Sequence, residues 1–209
     1  PCPSLLIPET APLQPLPGDR QRGVHEEITE TTGERLAWHS PSPYVAALDK
    51  TGTVLHLFDA RACAGVGAMK LQSRVEQLAL SRNGHWLALT DEVHGLWLGA
   101  VTPGLPLTLK KAAKLRFSAL DLAFTPREGI LMAVDDAGWV TLWSTKTGTM
   151  TGRIKVPGGP FTQARFQGIH LSLSKKDGKT QTFHLGKRVF VPAPSGDQAF
   201  ALHHGVLTY

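Results

Sequence analysis

Short apolar runs separated by turn-forming residues recur along most of this chain. In the clearest unit, an apolar stretch at 122–124 is followed by the turn sequence TPREG at 125–129. Proline presets φ in such a turn, and glycine permits a positive φ. The apolar run at 130–134 is typical of a strand covered on both faces. A second turn, DDAG, precedes apolar runs at 139–143 and 149–156. The pattern predicts four short antiparallel strands in about 42 residues.

Two markers repeat in register along the chain. An alanine in the first apolar run recurs at intervals of 42, 44 and 41 residues, at Ala37, Ala79, Ala123 and Ala164. An aspartate after the second run recurs at intervals of 42, 44 and 42 residues, at Asp49, Asp91, Asp135 and Asp177. A period of this length is typical of β-propeller blades, so the sequence predicts an all-β chain of four-stranded blades.

These units resemble WD repeats. The segments LALSRNG at 78–84 and LAFTPREG at 122–129 are similar to the first strand and turn of that family, and GWVTLWS at 138–144 to its third strand. Ser144 stands where the family has aspartate, whereas TVLHLFD at 53–59 has Phe58 for tryptophan. The Gly-His pair of the family is missing from every unit. The resemblance, over residues 34–191, therefore implies degenerate repeats without the buried Asp-His-Ser/Thr-Trp network.

Blade number depends on the two ends of the chain. The tail from Ala201 echoes the unit at Ala164, and 4–7 and 13–16 could supply strands. We expect a Pro-rich arm at 1–24, four blades within 25–193, and C-terminal strands at 194–209. The expected fold is a small propeller of about five four-stranded blades, with the closing blade shared by the termini. Prolines at positions 3, 8, 12, 15 and 17 count against this, because proline belongs at strand edges and not inside ladders. An open four-blade form with a free arm and a dimer of half-rings remain alternatives.

Charge and cysteine content only slightly restrict the type of partner and the cellular compartment. The formal charge of +5 and the pI of about 9.4 permit an anionic partner without requiring one. The two cysteines form no CxxC motif, which favours a reducing compartment. No apolar window is long enough to span a bilayer, and the start lacks a signal-peptide pattern. We expect a cytoplasmic protein that would associate with a membrane only through its partners. Removal of an export signal before residue 1 is an open alternative.

The sequence carries no recognisable catalytic, cofactor or metal motif. Nine histidines occur, but no HExxH, no Cys/His ligand spacing and no calcium loop accompanies them. GxSxG and the phosphate-binding glycine motifs are also missing. The pair Asp135-Asp136 could indicate acid/base chemistry, but the repeat explains it as turn residues. We therefore expect no enzyme activity, no cofactor and no metal.

Basic residues supply the candidate partner-binding surface. In WD propellers, the loops between blades and the turns between second and third strands share one face, the top. Residues expected on that face, with one tryptophan placed just after a turn, are Lys110, Lys111, Lys114, Arg116, Trp139, Lys175, Lys176 and Lys179. Acidic residues, Asp91 and Asp136 among them, share the face. The basic surface is thus interrupted, and a nucleic-acid partner is not expected.

The resulting functional hypothesis is a non-catalytic protein–protein interaction subunit, a scaffold or accessory component of a multiprotein complex. One alternative is a peripheral subunit docked on a membrane-bound electron-transfer complex, with basic sectors facing acidic groups. Another is a small-ligand binder or enzyme that uses the propeller channel. The small residues expected to line that channel, such as Ala37 and Ala79, count against it.

Overall fold

A computed structural model describes residues 36–38, 42–102 and 105–191. All regular structure in this part of the chain is β: sixteen strands in four sheets. Sheet 1 contains β1 (Leu36–Trp38), β2 (Tyr44–Leu48), β3 (Val54–Asp59) and β4 (Ala64–Lys70). Sheet 2 contains β5 (Val75–Leu80), β6 (Trp86–Asp91), β7 (Gly95–Ala100) and β8 (Lys110–Lys114). Sheet 3 contains β9 (Ala119–Phe124), β10 (Ile130–Asp135), β11 (Trp139–Ser144) and β12 (Met150–Lys155). Sheet 4 contains β13 (Gln163–Gln167), β14 (His170–Ser174), β15 (Thr180–His184) and β16 (Val189–Val191).

Each sheet is an antiparallel meander of four strands consecutive in sequence. This confirms the four-stranded unit predicted from the apolar pattern. The second strand of each sheet lies between two partners, and in sheets 1 to 3 it is the most continuously buried, because both of its faces are covered. The fourth strand lies at an edge and is largely exposed.

The sheets stack face to face through three apolar cores. Leu48 and Leu55 of sheet 1 pack with Leu87 and Leu89 of sheet 2. Sheets 2 and 3 share a second core, and sheets 3 and 4 share a third. The first strands also contact one another in the order β1, β5, β9 and β13. The first strands therefore lie innermost, as expected for sheets arranged around an axis.

The described strands form an open array of four sheets, which corresponds to the open four-blade form. The segments expected to build a shared closing blade, at 1–24 and 194–209, lie outside the described residues, as do the first residues of the predicted blade region. The five-blade form with a shared closing blade, which the sequence favoured, therefore remains a prediction.

In sheet 4 the repeated alanine and aspartate, Ala164 and Asp177, do not occupy the positions that their counterparts occupy in the other sheets. The backbone oxygens of Asp49, Asp91 and Asp135 accept hydrogen bonds from the amide three residues later, and that later residue has a positive φ in each turn. In sheet 4 the equivalent turn residue is Lys175, whose backbone oxygen accepts a hydrogen bond from Gly178 N. Counted from these turn residues, Ala164 is also one position out of register. It pairs with Leu173, whereas Ala123 pairs with Met132.

The turn between β9 and β10 also differs from its expected geometry. The residue with positive φ is Glu128, at 57°, rather than the glycine that follows it. Glu128 is buried, and its carboxylate accepts a hydrogen bond from Asn83 N in the equivalent turn of sheet 2. Thr145 Oγ1 donates to the Glu128 backbone oxygen at 2.8 Å. Contacts with sheet 2 and with a neighbouring turn thus fix a conformation that local turn chemistry would assign to glycine.

Asp121 bridges the inner strands of sheets 3 and 4. Its carboxylate accepts a hydrogen bond from Phe166 N at 2.7 Å. Burial raises the pKa of Asp121 to about 6, although the hydrogen bonds from Phe166 and Leu122 and the charge of Arg165 oppose this rise. A carboxyl group with a raised native pKa stabilises the fold most at low pH. That contribution is lost as the pH rises through the native pKa.

We therefore expect Asp121→Asn, which stays neutral, to change how stability depends on pH. Relative to the variant, the wild type should lose up to about 3 kcal/mol of unfolding free energy between pH 4 and pH 7. Urea unfolding of both proteins at half-unit pH steps measures this difference. A difference that stays constant across the range would contradict the raised pKa.

Candidate functional site

One end of the array, here called the top end, gathers two kinds of connection. The turns between second and third strands lie there beside the loops that link successive sheets. Val75 N donates to Gly52 O at 2.9 Å, Leu115 N to His94 O at 2.7 Å, and Val156 N to Gly138 O at 2.8 Å. These bonds confirm that the turns and the intersheet loops share one end.

Three candidate lysines are placed differently from the prediction. Lys110, Lys111 and Lys114 belong to β8, the outer edge strand of sheet 2, and not to an intersheet loop. β8 pairs with β7, and all three lysines are exposed. An edge strand has one hydrogen-bonding neighbour and one solvated side, so its sequence tolerates lysine. Lys111 instead lies over the Trp97 ring, with Nζ 5.6 Å from its centroid.

The lysines of sheet 4 lie at the top end, as predicted, in the turn between β14 and β15. Lys176 and Lys179 are exposed, and Lys175 is half-buried. Lys179 Nζ lies 3.5 Å from Asp177 Oδ2. None of these lysines lines the groove described next. The eight candidates therefore do not form one continuous surface.

Arg116 and Trp139 line one groove of about 190 Å³, which runs from the top end along sheet 3 toward Met150, the cross-strand partner of Trp143. The loop between β8 and β9 forms one wall, with Arg116 and Phe117. Sheet 3 forms the other, with Trp139, Met150 and Arg153. Phe117 and Met150 are exposed apolar side chains. We call these five residues the top groove.

Cations surround the aromatic rings of the top groove. The guanidinium carbon of Arg153 lies 4.8 Å from the Trp139 ring centroid, and Lys155 Nζ lies 4.9 Å from it. Arg116 lies over the Phe117 ring at 5.4 Å. Cations held over aromatic faces gain an electrostatic attraction to the ring. The groove thus combines an apolar surface with positive charge.

A single carboxylate, that of Asp135, lines the top groove. It accepts a hydrogen bond from Trp139 N at 2.8 Å, which fixes the turn before β11. Burial raises its pKa, while this hydrogen bond and the charge of Lys155 oppose the rise. This bond to Asp135 Oδ1 matches the turn role that the repeat predicts for Asp135.

Sequence reasoning missed Phe117, Met150 and Arg153. For Arg153 a signal was present, because β11 and β12 pair Thr141 with Arg153 and Trp139 with Lys155. Cross-strand partners share a face, so the alternation of β12 places Arg153 beside Trp139. Phe117 belongs to the loop between β8 and β9 and Met150 to β12, and the sequence contains no signal that joins them.

Neither a metal cluster nor a spanning helix is found in the part of the chain described. Among residues 36–38, 42–102 and 105–191, no group of three His, Cys, Asp or Glu side chains is placed to hold a metal ion. The same residues include no helix with the length and apolarity needed to cross a bilayer. The expectations of no metal, no cofactor and no catalysis stay predictions.

Cys63 is disulfide-bonded in the structure. The sequence favoured a reducing compartment because its two cysteines form no CxxC motif. The cytoplasmic location stays a prediction that a stable disulfide would disfavour.

Comparison with solved structures identifies the architecture. The chain is similar to the crystal structure of the Cps50 (Swd1) β-propeller domain from Myceliophteria thermophila, with a TM-score of 0.59 and 17% sequence identity. The fold is that of a β-propeller. The match covers 78% of this chain and 52% of that domain, so this propeller spans about half the length of the domain it matches. No family model and no curated protein matches the chain.

Proposed function

We propose that this propeller is a non-catalytic protein-interaction module of the degenerate WD type, and that it binds an acidic, apolar segment of a partner protein in the top groove. The observation that carries the proposal is the pairing of Arg116 and Arg153 with exposed apolar side chains in one concave site. The repeat pattern and the propeller fold support the family assignment. The Cps50 (Swd1) domain supports only the fold.

The size and lining of the groove favour a side chain over a cofactor. Small-molecule sites have volumes of roughly 300 to 1,000 Å³, larger than the about 190 Å³ of the top groove. Interface hot spots are enriched in tryptophan and arginine, and Trp139 with Arg153 supplies both. A partner segment that places one large apolar side chain next to a carboxylate would match the groove in shape and charge.

Charge reversal in the groove tests the proposal. We expect Arg116→Glu combined with Arg153→Glu to abolish stoichiometric co-purification of a partner from the native cells, because the variant repels the acidic segment. The matched control is Lys176→Glu combined with Lys179→Glu, which makes the same charge change on sheet 4 outside the groove. The control should keep the partner. Circular dichroism verifies that both variants fold.

The opposite pattern would overturn the proposal. If the groove variant keeps its partner while the sheet 4 variant loses it, the lysines of the β14–β15 turn are the binding surface. If both folded variants keep the partner, binding does not depend on positive charge at the top end.

A further inference from the structure

The groove between sheets 2 and 3 runs down to the turn that joins β11 to β12, at the end opposite the top. A Cβ placed on Gly148 in this turn would lie 3.6 Å from Ala112 Cβ, so the turn abuts the edge strand β8. Met150, which lines the groove, follows Gly148 by two residues and is 52% exposed. The groove thus ends where the two sheets touch, beside an exposed apolar side chain.

Two exposed lysines flank this lower end of the groove. Lys146 lies in the β11–β12 turn, two residues before Gly148, and Lys110 begins β8, two residues before Ala112. Lys110 pairs with Leu98, which belongs to the core between sheets 2 and 3. Because cross-strand partners share a face of a sheet, Lys110 lies on the side of β8 that faces sheet 3. We call Lys110 and Lys146 the lower lysines.

The neighbouring Lys111 lies on the opposite face of β8. It pairs with Trp97, which packs against the core between sheets 1 and 2, and its Nζ lies over the Trp97 ring. Two adjacent lysines of one edge strand therefore face different sheets, and Lys110 is the one on the groove side.

Carboxylates are scarce around the groove. Residues 93–120 and 137–176, which include β8, the β8–β9 loop, β11 and β12, contain no aspartate or glutamate. Asp135 is the single carboxylate among the groove's lining residues. No carboxylate in the described ranges forms an ion pair with Arg116, Arg153 or either lower lysine. The cations at both ends of the groove are thus complementary in charge to an anionic ligand.

The distance between the two cationic ends sets the length of a ligand that reaches both. Lys110 precedes Arg116 along β8 and the start of the β8–β9 loop. An extended chain rises about 3.3 Å per residue, so these two residues are separated by roughly 20 Å. A segment of about eight extended residues covers this distance. Apolar side chains near its middle would contact the exposed Met150 and Phe117.

We propose that the partner segment bound in the top groove is extended and carries two acidic clusters, one for Arg116 and Arg153 and one for the lower lysines. This segment is a more specific form of the proposed function, on which it rests. A protein segment fits better than a nucleic acid, because exposed apolar side chains lie between the two groups of cations. The second cluster fixes the length of the segment and the spacing of its charges.

Two fluorescein-labelled peptides test the second cluster. The first has the order Asp-Glu-Gly-Phe-Leu-Gly-Glu-Asp, with acidic pairs roughly 20 Å apart when extended. The second replaces the first acidic pair with Asn-Gln and keeps the length. Fluorescence anisotropy against the full chain measures both affinities at physiological ionic strength. The wild type should bind the two-cluster peptide roughly fivefold more tightly, because exposed ion pairs contribute modestly.

Two single substitutions show where that preference arises. Lys110→Glu should abolish the preference for the two-cluster peptide and leave the affinity for the one-cluster peptide within about twofold, because the screening length is roughly 8 Å. Lys111→Glu is the matched control. It makes the same charge change at the adjacent position on the opposite face of β8, and it should keep the preference. Melting curves verify that both variants fold.

The outcomes separate the extended segment from the proposed function. If the wild type binds both peptides equally and Arg116→Glu combined with Arg153→Glu loses both, the second cluster is refuted while the groove keeps its role. If Lys110→Glu and Lys111→Glu lose the preference to the same extent, the attraction is general to the basic edge, and the extended segment is again refuted. Failure of the folded wild type to bind either peptide would contradict the proposed function and the extended segment together.

Discussion

Replacement of Asp91 with alanine is expected to destabilise the chain by about 4 kcal/mol. The side chain is 2% exposed, and its carboxylate accepts hydrogen bonds from Gly95 N at 2.6 Å, Trp97 Nε1 at 2.7 Å and Val93 N at 3.2 Å. Burial alone would raise the pKa of Asp91, but the hydrogen bonds from Trp97 and the backbone outweigh it and lower the pKa. Alanine would leave these donors unpaired around a cavity. Urea unfolding at pH 7 measures the loss.

Asp177→Ala is the matched control for this prediction. Asp177 carries the same repeat marker in the sequence, but it is exposed, and its contacts are a hydrogen bond from Lys179 N at 3.1 Å and an exposed ion pair with Lys179 Nζ at 3.5 Å. Its replacement should change the unfolding free energy by less than about 0.5 kcal/mol. Equal losses of unfolding free energy in the two variants would contradict the finding that Asp177 does not occupy the turn position of Asp49, Asp91 and Asp135.

Phe183→Ala is expected to have an effect of similar size, also about 4 kcal/mol. Phe183 is 1% exposed and packs with Val134 and Val140 in the core between sheets 3 and 4. Removal of a buried aromatic ring loses its transfer free energy and leaves a cavity. Because sheet 4 has one neighbouring sheet among the described residues, this core is its main attachment. The loss is measured by urea unfolding.

Phe190→Ala removes the same side chain at an adjacent place. Phe190 contacts Phe183 edge to face, with ring centroids 5.3 Å apart, but it is 40% exposed on the edge strand β16. Its loss should cost about 1 kcal/mol. If Phe190→Ala were as destabilising as Phe183→Ala, the described core would not be what holds sheet 4 to sheet 3.

Much of the fold was readable from apolar runs and turn residues. The runs of sheet 3 predicted β9 to β12 closely, because both faces of that sheet are covered and its second strand is continuously apolar. The prediction failed where a strand is covered less. Lys110 to Lys114 suggested a polar loop because β8 is an exposed edge. The markers in sheet 4 drifted because its outer face is polar and solvated, so fewer of its residues are constrained by packing.

The top groove was predictable only in part. Trp139 was recognised from its place after a turn, and Arg116 from its place near an intersheet loop. Their meeting depends on how the β8–β9 loop rests beside sheet 3, which is set by packing between residues distant in sequence. The period of the repeat positions each strand within its sheet. It carries no information about which loop side chains converge between two sheets.

Site-specific photocrosslinking of the full chain in its native cells is the most direct test of partner binding in the top groove. A benzophenone side chain would be placed at Met150 in the top groove or at Ile169, an exposed apolar residue in the turn between β13 and β14 that lies outside the groove. We expect a protein adduct from position 150, with a crosslinked segment rich in acidic residues, and none from position 169. An adduct that forms at position 169 and not at position 150 would contradict the assignment of the top groove as the recognition site.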